Sequence, residues 1–454
     1  MQQTSLVCHW RQFGDSAFHK SQMANPSEPT SNYEFGHATL GPVIASFALL
    51  LIREAGRRKL HRLAFVARDG ELLWKATQRL LHGLPAQPAL DLVYIYLSRQ
   101  ATAPAALDTM DAAAFKAASA VRAGPLTVGK LLEFHGLGGN GLIDQLEKHK
   151  LAMDTGISSS SMLSGLFADE GFQAEVATMI AEQKKLLLTY LSQQGIDAGS
   201  STGLVDIGWR GSIQSNLSKV VPGILPGFYF GLWSEGSSPD TLPPTALGLI
   251  SDQRRGRYLR EGAAWHVAHL LEAICRAHEG TTLSYCEMDG RVVPLLAADH
   301  IRRAEIASDA SANDIRTGIL DRIEELARDT SWNCQSDNEL RRGAQNSLFK
   351  LAFFPSAAAI VVGKSLVHTE GHAGGWSAPL IAPGPYRPFT APRQWLAGLA
   401  SPWRSGYVCA TGGKGFAWLF LGMEAVLASL PPQMRCLLVN LMRRFAGLLS
   451  TRSK

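Results

Sequence analysis

The stretch Leu63-Ala64-Phe65-Val66-Ala67 is apolar at every position, and helix-forming sequence flanks it on both sides. A strand with one face in water alternates polar and apolar residues. A strand without a polar face must be covered twice, as in a parallel sheet sandwiched between helices. Similar apolar runs occur over Leu90 to Leu97 and Gly203 to Ile207, and each ends in polar residues: Arg68-Asp69-Gly70, Ser98-Arg99, and Asp206-Ile207-Gly208-Trp209-Arg210-Gly211-Ser212. Open α/β sheets bind ligands outside the carboxyl ends of their strands. The three turns are therefore expected at one rim.

The glycine loop is the most informative of the three. Gly208 and Gly211 let the backbone approach an anion closely. The helix that follows, carrying Gln214, offers unpaired N–H groups and the positive end of its dipole. Ser212 adds a hydroxyl and Arg210 a guanidinium fork suited to phosphate oxygens. Asp206 is positioned to accept from sugar hydroxyls or to hold a divalent ion. Together these residue types describe a sugar-phosphate site.

A chain of 454 residues with 46% hydrophobic and 18% charged residues has the composition of an ordered globular protein of two or three domains. A net charge of +5 is mild at this size. With no dense Lys/Arg run and no basic stripe interleaved with aromatics, a nucleic-acid partner is not expected. The six cysteines are scattered without a C-x-x-C pair, which fits a reducing compartment. No secretion signal and no membrane-spanning run are read, so the expected location is cytoplasmic.

In chain order, residues 1–33 read as a flexible arm, and a helix starts after Gly41-Pro42. Residues 34–290 read as the α/β core, interrupted by a helical insertion over 101–200 that is expected to cap the rim. The spacing predicts short helices over 112–120, 128–135 and 142–149, and a longer one through Phe172 to Leu191 that ends at Gly195. Gly227 to Trp233 supplies a further strand. A helix follows with His266 and His269 on one face; these two, and His368 with His372, are the histidine pairs at which a metal role is weighed against a structural one. Residues 291–454 read as a mostly helical region. In it, Arg302 to Arg328 is a charged, solvated helix, 368–415 is irregular, and Phe416 to Leu430 is apolar. A basic amphipathic helix near Arg435 to Phe445 either docks on its own domain or touches an anionic membrane.

The order strand–Arg-Asp-Gly turn–helix, strand–Ser-Arg, strand–Asp–glycine loop–helix resembles the type I phosphoribosyltransferase layout. More narrowly, Arg68-Asp69-Gly70, Tyr96-Leu97-Ser98-Arg99 and Val205 to Gln214 resemble a domain encoded in bacterial surface-polysaccharide (O-antigen and capsule) clusters, usually beside a haloacid-dehalogenase-type phosphatase. Some of its members are ribofuranosyltransferases acting on lipid-linked glycans. The similarity covers roughly residues 33–290, with a further patch from Gln394-Trp395 to Gly406. It implies an α/β fold with a parallel sheet, helices on both faces, a helical cap and an α-rich C-terminal region. It also implies transfer of 5-phosphoribosyl from phosphoribosyl pyrophosphate to a lipid-linked oligosaccharide, with Mg2+ as cofactor. The family carries paired acids before the glycine loop, whereas here Ile207 follows Asp206, so the ribose and metal contacts rest on Asp206 or borrow Asp69. No D-x-D-x-T/V motif is present, so removal of the 5-phosphate falls to a separate phosphatase.

On this resemblance Arg68, Gly70 and Arg99 face pyrophosphate, while Gly208, Arg210, Gly211 and Ser212 hold the 5-phosphate; Ser98, Trp209 and Gln214 are further substrate-binding candidates. Asp206 and Asp69 hold the ribose hydroxyls and Mg2+. Glu272 and His278 are candidates by residue type for the base that takes the acceptor's proton. Two rival readings remain. Asp206-x-Gly208 also fits a methyltransferase loop for S-adenosylmethionine, although its glycines fall two and five positions after the acid. The missing second acid also fits a non-catalytic scaffold of the same assembly.

Overall fold

Strands β1 (Arg62–Val66), β2 (Asp91–Ile95), β3 (Thr202–Asp206), β4 (Gly227–Leu232) and β5 (Ala246–Asp252) form one parallel sheet in the order β2-β1-β3-β4-β5. The chain winds outward from β1 to β2, then returns past β1 to β3 and continues the other way. The reversal between β1 and β3 is where such sheets open a crevice. β5 extends the sheet beyond the strands expected from the sequence. This computed structural model describes residues 31–431 and Met434, apart from 86–87, 108–110, 119–125, 138–140, 198, 200, 222, 224, 234–241, 257, 371–375, 384–400 and 413. Of the arm expected over 1–33, residues 1–30 lie outside the described residues, as do His372 and the basic helix expected over 435–445. The last three residues do not form an arm, since Ser31 caps the helix that Asn32 and Tyr33 begin.

Alternation in β1 shows the double burial directly. Leu63 and Phe65 join one hydrophobic cluster, Ala64 and Val66 the other. The first cluster contains α1 (Asn32–Arg57) and α2 (Glu71–Gly83). The second contains the end of α3 (Glu170–Gln193) and the face of α4 (Ser212–Val220), through Leu187, Leu191, Leu217 and Val220.

α1 begins nine residues before the expected Gly41 start. Ser31 and Glu34 cap it reciprocally, each side chain accepting from the other's backbone N–H. Pro42 has no N–H to give to a carbonyl one turn back, and the chain passes it with a π-helical turn over Gly36–Leu40. Contrary to the sequence reading, α1 is long and apolar enough to cross a membrane; 78% of its apolar window is buried inside the fold.

The insertion helices Ala112–Ala118, Val128–Phe134 and Gly141–Lys148 occur close to their expected positions. They form a small core of their own around Phe115, Leu131, Phe167 and Phe172. α3 joins that core through Val176 and ends, as expected, with Gly195 at φ 68°. The residues after 255 depart further from expectation. The single predicted helix is three pieces, Tyr258–Glu261, Ala263–His266 and α5 (Ala268–Cys275). A hairpin, β6 (Thr282–Met288) and β7 (Arg291–Leu296), follows; it turns through Asp289-Gly290, both at positive φ, the backbone that two-residue hairpin turns require.

The main core does not stop at residue 290. α6 (Arg303–Arg328), expected as a solvated helix, packs on α1 and α2 and buries Ala312, Ile315, Ile319 and Ile323, a stripe at helical spacing. Within the stretch expected to be irregular, β8 (Val367–Glu370) and β9 (Trp376–Pro379) form a second hairpin, and helix Arg404–Thr411 follows. The final described helix, Lys414–Ser429, puts Ala425 and Ala428 into the same core as β1.

Candidate active site

A cleft of about 630 Å³ opens at the carboxyl ends of β1 and β3. All three expected turns reach it. Arg68 and Asp69 arrive from β1, Ser98 and Arg99 from the segment after β2, and Asp206, Gly208, Trp209, Arg210 and Ser212 from the glycine loop. Glu272 of α5 lines the same hollow. Four expected residues do not line it. Gly70 closes the turn after β1, where a Cβ would meet the Val66 carbonyl at 2.2 Å. Gly211 is the left-handed residue before α4, packed against Pro243. Gln214 is buried, its amide spent on the Leu225 carbonyl, Thr245 and Tyr229. His278 sits away from the cleft, held by Asp309 and Asn313 of α6.

The cover over the cleft is also different from the expected one. Among the described residues, nothing from the helices of 112–193 lines it. The far wall is Trp265, His269 and Arg276, then Thr281 and Thr282, then His368 and Thr369 of β8, and finally residues from Ser401 to Ala428. The C-terminal region closes the rim, and the insertion stands to one side with its own small core.

Local structure explains how each turn is held. Arg68 has φ 75°, which is uncommon outside glycine. Its N–H donates to the Tyr94 hydroxyl at 2.8 Å, and its carbonyl accepts from the Ala277 N–H at 3.0 Å. Its guanidinium reaches Glu305 at 2.8 Å and also bonds Thr281. Ser98 caps the short helix Arg99–Thr102 by accepting from the Ala101 N–H at 2.9 Å, and its hydroxyl donates to the Thr282 carbonyl at 2.6 Å. Gly208 lies at φ 137° with its Cβ position 2.2 Å from the Gly231 carbonyl, so no side chain fits there. Trp209 is mostly buried against Phe230 and Trp265, and its indole N–H donates to Glu272 Oε1 at 2.9 Å.

The floor of the cleft is acidic and its walls carry guanidinium groups. Burial, and then the neighbouring Asp69 charge, push the Asp206 carboxyl up to about 8; Glu272 adds to the same effect. Burial also raises Asp69, against the pull of Arg68 and Arg276. Carboxylates that disfavour each other's charge form a donor set that a divalent cation relieves, and oxygen ligands suit Mg2+. The Mg2+ implied by the resemblance therefore fits Asp206 and Asp69, with Glu272 beside them. Arg276, which the sequence reading did not single out, is a further buried cation of this wall. No spacing marks it in the sequence; only the close of α5 brings it to Arg68. Of the two histidine pairs weighed above, His266 and His269 both line the cleft, and His372 lies outside the described residues. His269 and His368 come together, with Glu272 between them in chain order.

Compared with protein-family models and with curated proteins, the chain matches none.

Proposed function

We propose that the chain transfers 5-phosphoribosyl from phosphoribosyl pyrophosphate to a glycan acceptor of bacterial surface-polysaccharide assembly, releasing pyrophosphate. The observation that carries this reading is the meeting of three strand-end turns in one cleft, acidic at its floor and cationic at its walls. Such polarity suits a ligand with a sugar between two phosphate groups, bound together with a divalent cation.

In the proposed reaction an acceptor hydroxyl oxygen bonds to the anomeric carbon while the bond from that carbon to pyrophosphate breaks, and the pyrophosphate leaves with the electron pair. The protein's task is to orient the reactants and stabilise the departing charge. Arg99 and Arg210 meet phosphate oxygens, and the first turn of α4, with Ser212, receives the 5-phosphate. Asp206 accepts from the ribose hydroxyls. Asp206 and Asp69 would hold Mg2+, which when bound neutralises pyrophosphate charge. Glu272 is the cleft carboxylate available to take the acceptor's proton, and Trp209 fixes its orientation. Removal of the 5-phosphate belongs to a separate phosphatase, and a lipid-linked acceptor brings the reaction to a membrane surface.

Calorimetry on the whole chain tests the reading. Phosphoribosyl pyrophosphate with Mg2+ should bind, and adding a lipid-linked oligosaccharide should release pyrophosphate. Binding of S-adenosylmethionine instead would move the chain to methyl transfer, and binding of neither would leave a scaffold.

A further inference from the structure

The cleft wall holds a second constellation, separate from the Asp69 and Asp206 pair. His269 and Glu272 lie three residues apart on α5, so their side chains leave the helix on one face. His368 of β8 meets that face from a segment nearly a hundred residues away, with its ring centroid 4.2 Å from that of His269. One ligand atom from each of the three residues lies within 4.8 Å of the others. All three line the cleft.

We propose that His269, Glu272 and His368 bind a first-row transition-metal ion of the zinc type, facing the cleft with a coordination position left open.

The surrounding hydrogen bonds favour ligation. His269 Nδ1 lies 2.9 Å from the Pro402 carbonyl, which can only accept. The proton is therefore on Nδ1, and in the neutral ring the lone pair is on Nε2, the arrangement in which outer-shell carbonyls hold metal-binding histidines. Glu272 Oε1 accepts from the Trp209 indole, and Oε2 lies 3.7 Å from His368 Nδ1. Two imidazoles with one carboxylate select a borderline ion such as Zn2+ over Mg2+, which prefers oxygen donors alone. Three protein ligands at the edge of a cavity leave the fourth position to water or to a substrate oxygen. With an ion bound there, Glu272 is a ligand and no longer the base that takes the acceptor's proton, so the two roles belong to different states of the cleft. The metal site itself does not depend on the identity of the donor substrate.

The test uses the full chain, stripped with chelator and titrated with Zn2+ by calorimetry without any sugar phosphate. One equivalent should bind, Mg2+ in tenfold excess should not displace it, and H269Q, E272Q and H368Q should each weaken binding by tenfold or more. H300A, at an exposed histidine away from the cleft, should bind as the unaltered chain does. Because His368 is buried and H368Q alters packing as well as ligation, the unaltered chain is also loaded with Co2+. Visible bands of a four- or five-coordinate ion without sulfur charge transfer support the site. No stoichiometric Zn2+ binding, an octahedral Co2+ spectrum, or full binding retained by a folded H269Q overturns it. Each of these outcomes is independent of whether phosphoribosyl pyrophosphate binds.

Discussion

The Arg68 guanidinium donates to Glu305 Oε1 at 2.8 Å across 237 residues of sequence, tying the turn after β1 to the first turn of α6. Glu305 also accepts from Thr369 and lies 3.5 Å from Arg302, so one buried carboxylate serves several cations and both hairpin and helix. Burial alone would raise its pKa, yet Arg68 and Arg276 hold it below the usual glutamate range. Its stabilising contribution is complete above that range and is lost as the pH falls through the lowered value. Replacing Glu305 with alanine strands buried guanidinium groups. It should cost about 3–5 kcal/mol in urea unfolding at pH 7; a change within experimental error would remove Glu305 as the tie.

Asp206 carries the opposite sign. Its folded value of about 8 exceeds the ordinary 3.8, so the folded chain keeps a proton that the unfolded chain has lost. Its contribution to stability falls as pH rises from about 4 to 8 and is level above that. Asp206→Asn should flatten this part of the melting-temperature profile while abolishing transfer. In the unaltered chain, Mg2+ affinity should strengthen with pH up to about 8, because the proton and the cation compete for one carboxylate. A pH-independent Mg2+ affinity between pH 6 and 8 would exclude Asp206 as ligand.

Arg210 lines the cleft from an exposed position in the glycine loop. Arg210→Ala should weaken donor binding by about 1.5–3 kcal/mol, the worth of a charge-assisted hydrogen bond. Calorimetry with phosphoribosyl pyrophosphate and Mg2+ reads this directly, and unaltered affinity would assign the 5-phosphate to other groups.

The insertion has its own acid sensitivity. Burial pushes His135 down to about 4, although its Nε2–H donates to the Phe115 carbonyl at 3.1 Å. The unfolded segment takes up a proton near pH 6.5 and the folded one does not, so stability is lost progressively as pH falls from about 6.5 towards 4. Amide exchange in Val128–Phe134 should accelerate at pH 5 relative to pH 7, after correction for intrinsic rates. His135→Gln, which keeps a donor for Phe115, should lack that difference.

Local signals were enough to read the sheet and its rim. Leu63 to Ala67 carries its double burial in its composition, and Gly208 and Gly211 mark backbone that other residues resist. What lay beyond reach depends on partners far along the chain. Glu305 and Arg316 sit among apolar residues of α6, and their charges disguise a buried helix as a solvated one. His269 and His368 looked like halves of two local pairs because no spacing reveals that β8 crosses α5. Gln214 occupies a motif position, but its amide had a closer use in bridging the Leu225 carbonyl and Tyr229. The Asp289-Gly290 turn, by contrast, carries a local Asp-Gly hairpin signal in the sequence.

The far wall of the cleft has a consequence for synthesis. A chain still growing on the ribosome at residue 290 has made β1 to β5 and every turn that meets the rim, but not Glu305, His368 or the helix through Ala428. At that point Arg68 and Arg276 have Asp69 beside them but lack Glu305, and the far wall of the pocket from His368 to Ala428 is open to water. Ligand recognition therefore arrives late, with the last segments translated, and a fragment cut at 290 should be a poor protein rather than a minimal enzyme.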